Sequence, residues 1–167
     1  MKVKIKSVLN WLKIDLSKKM EYDRLTGEIL QKVIQEKSNC IDIGAYKGEA
    51  LAEMIRLAPK GKHCAFEPIP CMYENLKDNF AFNSAIFPCA LSNEEGIINF
   101  NFVKNAPGCS GLNKTDYPIN NPEIEEIEVE VKRLDDLIPK SVKISLIKID
   151  VDGAEYKVLQ GAEDLLT

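Results

Sequence analysis

Apolar residues recur at helical spacing in the first part of the chain and change to strand patterns after it. Ile5, Val8, Leu9, Leu12 and Leu16 predict an amphipathic helix over 3–16. Tyr22, Leu25, Ile29, Val33 and Ile34 predict a second over 21–37, with these side chains inward and Ser38 and Asn39 ending it. Residues 40–45 then read as a buried strand running into Gly44, and 48–58 as a helix with Leu51, Met54, Ile55 and Ala58 on one side, stopped by Pro59 and Gly61. A strand over 63–67, a helix opened by Pro70 and running to about Phe82, and a strand over 85–91 follow. Strand alternating with helix implies right-handed crossovers and a parallel sheet.

The pattern then changes. Ile98, Phe100 and Phe102 alternate with Asn99 and Asn101, and Ile127, Val129 and Val131 alternate with Glu128, Glu130 and Lys132. Period two with one polar face predicts half-exposed antiparallel strands, an inserted hairpin. The loop between them, 104–123, carries Pro107, Gly108, Gly111, Pro118 and Pro122, and is expected to form a mobile cover near the strand ends. Residues 144–150 are apolar almost throughout, as in a central parallel strand, and 154–166 form a closing helix. The expected architecture is α/β: a Rossmann-like, mostly parallel sheet with flanking helices and an inserted antiparallel hairpin. Residues 1–37 form an N-terminal helical segment and 38–167 the α/β domain.

Composition narrows the function. With 167 residues, 45% hydrophobic and 29% charged, the chain has the usage of a folded domain rather than a disordered or fibrous one. No apolar run reaches the roughly 20 residues of a spanning helix. Six lysines against Asp15 make the first 19 residues basic, a candidate contact for anionic membranes, although a covering helix with a solvated basic face is the simpler reading. The remaining 16 basic and 25 acidic residues argue against a nucleic-acid-binding body. Five cysteines without a C-x-x-C pair, and His63 as the sole histidine, give neither a disulfide framework nor a zinc site and fit a reducing cytoplasm.

The chemistry is expected where strands end. Asp42, Gly44, Ala45 and Gly48 occupy the first strand-to-helix turn, where glycines allow close backbone approach and the helix offers free N–H groups. Glu67 ends the second strand, where an acid can accept two hydrogen bonds from a ribose diol, and Ala90 and Leu91 end the third, where a flat adenine fits. Asp150 and Asp152 end the last strand. Those two carboxylates could instead hold a divalent ion. His63 begins its strand, away from these ends, and is not expected to be catalytic.

Taken together, residues 40–45 (CIDIGA), 66–68 (FEP), 90–92 (ALS), 110–112 (SGL), 134–137 (LDDL) and 148–155 (KIDVDGAE) resemble the FkbM-type methyltransferases, enzymes of class I Rossmann-like fold that use S-adenosylmethionine. The resemblance covers about residues 20–167. Tyr46 stands where Asn or His is usual, and Asp152 where Glu is usual. It implies O-methylation of a hydroxyl on a small-molecule or glycan acceptor such as a sugar or natural product. Gly44 and Gly48, with Ala45, would admit the amino-acid part of the cofactor, Asp42 would orient its ammonium, Glu67 would hold the ribose, and Ala90 and Leu91 would face the adenine. Asp150 is the first candidate for base or substrate-orienting acid, Asp152 the second and Glu155 the third; Lys148, two residues before Asp150, would lower its pKa. The family's seven-stranded sheet implies strands beyond residue 167, so a C-terminally truncated domain with a tendency to self-associate is expected. A non-catalytic cofactor-binding module and a nicotinamide-dependent oxidoreductase remain alternatives.

Overall fold

The structure, a computed structural model, describes residues 18–112, 119–151 and 153–167. The helix expected over 3–16, Asp152 and the middle of the 104–123 loop lie outside these residues. In chain order the elements are α1 (Lys18–Val33), β1 (Cys40–Ile43), α2 (Glu49–Leu57), β2 (His63–Phe66), α3 (Pro70–Phe80), β3 (Ser84–Phe87) and β4 (Ala90–Leu91). Then come β5 (Gly96–Val103), a short 3-10 turn over Pro107–Cys109, β6 (Ile124–Lys132), α4 (Leu134–Leu137), β7 (Leu146–Ile149), α5 (Glu155–Gln160) and α6 (Glu163–Leu166).

The main sheet has the order β3-β2-β1-β7, and all its pairings are parallel. Strand alternation divides the core across β1, whose four residues are all buried. Ile41 and Ile43 pack with Phe66, Leu134 and Val158 on one face, while Cys40 joins Leu30, Ile34, Met54 and Ala58 on the other. Burial pushes the Cys40 thiol up to about 11, so it is an inert core residue. His63 is buried at the start of β2, its Nε2 2.9 Å from the Ala58 carbonyl. Among the described residues no helix is long and apolar enough to cross a membrane.

Four expectations need correction. The strand expected over 85–91 is two strands: Pro88 has no N–H to continue the ladder, so the chain leaves the main sheet after Phe87. β4 then pairs in parallel with β6, and the hairpin becomes a second sheet of order β4-β6-β5. Within that hairpin Asn101, assigned to the polar face, is buried; its backbone exchanges hydrogen bonds with Gly111 at 3.0 and 3.2 Å and ties the loop down. The third correction is α1, which turns Leu30 and Ile34 inward while Tyr22, Leu25, Ile29 and Val33 are exposed. Leu30 and Ile34 pack against Cys40, Met54 and Ala58, with Ala50, Leu57 and Leu146 at the edge of the same cluster. Finally, the closing helix breaks at Gly161, which packs against the Ser92 carbonyl, and Asp135 receives the restarted chain through the N–H groups of Asp164 (3.1 Å) and Leu165 (3.0 Å).

Candidate functional site

At the carboxyl ends of the strands lies a partly enclosed cleft, the kind of concave, mostly apolar setting in which small molecules bind. The turn after β1 forms one wall. Gly44 (φ 71°), Tyr46 (φ 50°) and Gly48 (φ 77°) are all left-handed, which folds the chain back sharply enough for the Gly44 and Ala45 N–H groups to donate to the Phe66 carbonyl at 3.0 and 3.2 Å. A Cβ at Gly44 would collide with the Asp150 backbone carbonyl, so only glycine lets β1 and β7 end side by side here.

Glu67 forms the second wall. Its carboxylate accepts the Tyr46 N–H at 2.8 Å through Oε2 and the Ile69 N–H at 2.9 Å through Oε1. Burial pushes this carboxyl above its ordinary value, while the two backbone donors pull it back part of the way. An ionised carboxylate has about four acceptor sites, so two remain for a ligand. The Phe66 and Phe87 rings stack at 4.8 Å behind it. Beyond Pro88, Ala90 and Leu91 line the far side, and Phe100 of the hairpin closes it. From the long loop, Pro107, Gly108 and Ser110 reach the cleft, with Gly108 directly over the Tyr46 ring.

The strand register explains the charges. Asp42 lies opposite Lys148 in the β1–β7 ladder, so both side chains project from one face. Lys148 Nζ is 3.0 Å from Asp42 Oδ1, 3.5 Å from Asp150 Oδ2, and donates to the Gly44 carbonyl at 3.1 Å. Asp42 is fully buried, and the desolvation raises its pKa, with Lys148 offsetting part of the rise. Lys148 therefore serves Asp42 and the glycine turn first, and the expected pairing with Asp150 is secondary. The Asp150 side chain is 72% exposed.

Of the residues singled out in the sequence, Gly44, Glu67, Ala90, Leu91 and Asp150 share this cleft. Ala45 faces a neighbouring cavity toward α1, and Gly48 is packed under Leu76 and Phe80 of α3. Glu155 turns away to accept the Gly153 N–H at 3.2 Å; backbone N–H groups, its own first, hold its carboxyl below the ordinary value. That makes it a helix-end cap and removes it from the candidate bases. Sequence reading missed the Tyr46 N–H as the partner of Glu67, and Phe100 as a wall of the cleft. The signal for Phe100 was its place on the apolar face of the hairpin.

Comparisons with known proteins show the family. The family model of the methyltransferase FkbM domain matches residues 42–167. Methyltransferase 1 of Beauveria bassiana (strain ARSEF 2860) is 30% identical over 149 residues, 77% of this chain and 60% of that protein. The 2-O-methyltransferase NoeI of Sinorhizobium fredii (strain NBRC 101917 / NGR234) is 30% identical over 142 residues, 76% of this chain and 58% of that protein. The 31-O-demethyl-FK506 methyltransferase FkbM of Streptomyces tacrolimicus is 30% identical over 129 residues, 60% of this chain and 50% of that protein. This chain thus spans 50–60% of the length of these relatives. A crystal structure of a precorrin-6y C5,15-methyltransferase from Geobacter metallireducens GS-15 overlays with a TM-score of 0.33 at 28% identity, covering 43% of this chain and 39% of that one, too partial to bear on the fold. With the family model covering all but the first 41 residues, the chain belongs to the FkbM methyltransferase family.

Proposed function

We propose that the cleft binds S-adenosylmethionine and that the chain is the cofactor-binding part of an O-methyltransferase for a hydroxyl-bearing small molecule or glycan. The observation that carries this reading is Glu67: a buried acid at the end of β2, fixed by two backbone donors, with two acceptor sites left in the cleft that Gly44, Ala90 and Leu91 also line. A ribose diol fits those two sites. Asp42 is too deeply paired to touch the cofactor's ammonium; through Lys148 it holds the Gly44 carbonyl instead. When bound, the cofactor supplies an electrophilic methyl group to the acceptor oxygen. Aligning the reactants is worth about 7–11 kcal/mol of barrier, against roughly 10²–10⁴-fold for a positioned base. The walls of the cleft therefore outrank Asp150, the exposed acid at its mouth that takes the hydroxyl proton. Calorimetric titration with S-adenosylmethionine, S-adenosylhomocysteine and NAD tests the reading: the first two are expected to bind and NAD is not.

Glu67→Gln keeps one acceptor and sets an amide N–H₂ against a backbone N–H. It is expected to weaken S-adenosylhomocysteine by about 10–100-fold, from the roughly 1.5–3 kcal/mol of a hydrogen bond to a charged group. An analogue lacking both ribose hydroxyls should show a much smaller difference between the two proteins. Equal losses for both ligands would mean that Glu67 only braces the turn. Acidification should act in the same direction. The folded-state pKa of Glu67 is raised, so affinity is expected to be constant above it and to fall as pH drops through it, beginning above the ordinary glutamate range. The Gln variant should lack that pH-dependent step.

β7 is one of the two edge strands of the main sheet among the described residues, and its four residues are only half-buried. A sheet edge of this kind favours pairing with another strand. We expect concentration-dependent self-association of this chain by light scattering; a monomer at all concentrations would remove the edge as an explanation.

A further inference from the structure

Tyr46 stands out in the backbone. Among the described residues it and Asn121 are the non-glycine positions with a left-handed φ, here 50°, and a large side chain adopts that conformation only under constraint. Its N–H, which donates to Glu67 Oε2 at 2.8 Å, would be supplied by any residue except proline, so this bond does not account for the ring. The ring is half-buried and lines the cofactor cleft. It lies where a side chain at position 108 would point: a Cβ on Gly108 would sit 3.6 Å from Tyr46 Cζ and 3.7 Å from Cε1, ordinary van der Waals contact. Lys47 Nζ stands 5.1 Å from the ring centroid.

Gly108 is the middle of the 3-10 turn that reaches the cleft from the hairpin side. Hydrogen bonds fix the foot of that turn: Ser110 Oγ accepts the Val103 N–H at 2.9 Å, and the Ala106 N–H donates to the Val103 carbonyl at 3.0 Å. The Cys109 N–H closes on the Ala106 carbonyl at 2.9 Å and the Ser110 N–H on the Pro107 carbonyl at 3.2 Å. Among the described residues the hydrogen bonds of 106–110 thus stay within 103–110, and what crosses to the β1 side is the apolar contact on the Tyr46 ring. We propose that Tyr46 is a positioning residue whose ring clasps the 107–110 turn and so sets how fast the cofactor leaves the cleft. The assignment rests on the cofactor reading of that cleft. The turn after β1 lines one side of the cleft and the 3-10 turn the other, so parting them opens it. One ring against a backbone, with no hydrogen bond across the contact, suits a closure that must open in every catalytic cycle.

The test uses the full chain and measures release of S-adenosylhomocysteine by surface plasmon resonance, beside thermal melting of each protein. Asparagine tolerates the left-handed backbone and keeps the N–H for Glu67, so Tyr46→Asn removes the ring alone. It is expected to speed release by about tenfold, since changes at a contact act mostly on dissociation. It should melt close to the parent, because relief of backbone strain offsets the lost packing. Tyr46→Phe, which keeps the ring, should release the ligand at the parent's rate. Gly108 is not left-handed, so alanine suits its backbone and sets a methyl against the ring. Gly108→Ala is expected to slow release by about twofold or more in the parent and to have no such effect in Tyr46→Asn. That coupling separates a clasp from a ring that only touches the ligand, for which the two changes would act independently. Unchanged release or a melting temperature well below the parent's in Tyr46→Asn would overturn the clasp. So would fast release in Tyr46→Phe, or a Gly108→Ala effect equal in both backgrounds; each of these leaves the cofactor reading intact. Failure of S-adenosylhomocysteine to bind the parent would instead overturn the cofactor reading, and the clasp with it.

Discussion

Gly44→Ala is expected to destabilise the fold by about 4 kcal/mol or more, in the range reserved for a few severe mechanisms, and to abolish binding of S-adenosylhomocysteine. Two costs add. The left-handed conformation at φ 71° costs an alanine about 1–2 kcal/mol relative to glycine. The new Cβ would also be driven into the Asp150 carbonyl, a backbone atom that cannot swing aside. Relief requires parting β1 from β7 where the Asp150 N–H bonds the Ile43 carbonyl at 3.0 Å, at the mouth of the cleft. Gly48→Ala is the matched control. Its φ of 77° carries the same conformational cost, but the obstacles are Phe80 Cε2 at 2.6 Å and Leu76 Cδ2 at 2.7 Å, the ends of side chains that can rotate. It should lose only about 2 kcal/mol, the left-handed cost plus a small repacking cost. At about 2–4 °C per kcal/mol for a chain of this size, thermal melting should separate the two variants clearly. Equal melting temperatures would show that the backbone contact at Gly44 is not what constrains the turn.

That turn also shows what the sequence discloses. The meeting of Gly44, Glu67 and Asp150 at one cleft was legible because alternation of strand with helix located the strand ends; Gly48, expected beside them, packs instead under Leu76 and Phe80. What failed were properties set by a partner distant in sequence. Asp42 looked like a ligand-binding acid because its neighbours are glycines; only the β1–β7 register puts it beside Lys148, 106 positions away, with the carboxylate fully buried and the lysine partly so on the α1 face. The exposed side of α1 could not be foreseen either, since Tyr22, Leu25, Ile29 and Val33 have helical spacing whichever side meets the core. Pro88 is different. Its missing N–H was visible in the sequence, and reading it as a strand break would have placed Ala90 and Leu91 in the hairpin's sheet.

The pair buried beneath the turn leads to the second large effect. Lys148→Met is expected to destabilise the protein by about 3–5 kcal/mol at neutral pH, the usual result of leaving one member of a buried ion pair uncompensated. Asp42 has no exposed surface, and Lys148 Nζ at 3.0 Å is the cation that offsets its desolvation. The sign with pH follows from the same facts. Burial already raises the folded-state pKa of Asp42 above its unfolded value, so ionising it lowers stability as pH rises through the interval between the two. Without Lys148 that interval widens upward. The deficit of Lys148→Met should therefore be largest at neutral pH and shrink on acidification, as the folded state takes up a proton on Asp42. Asp42→Asn in the Lys148→Met background removes the charge that needs a partner and should recover much of the loss, giving a strongly non-additive double-mutant cycle. Urea unfolding of the four proteins between pH 5 and pH 8 measures both effects. A Lys148→Met deficit that is independent of pH and unrelieved by Asp42→Asn would mean that the lysine acts through its hydrogen bond to the Gly44 carbonyl at 3.1 Å rather than through the buried carboxylate.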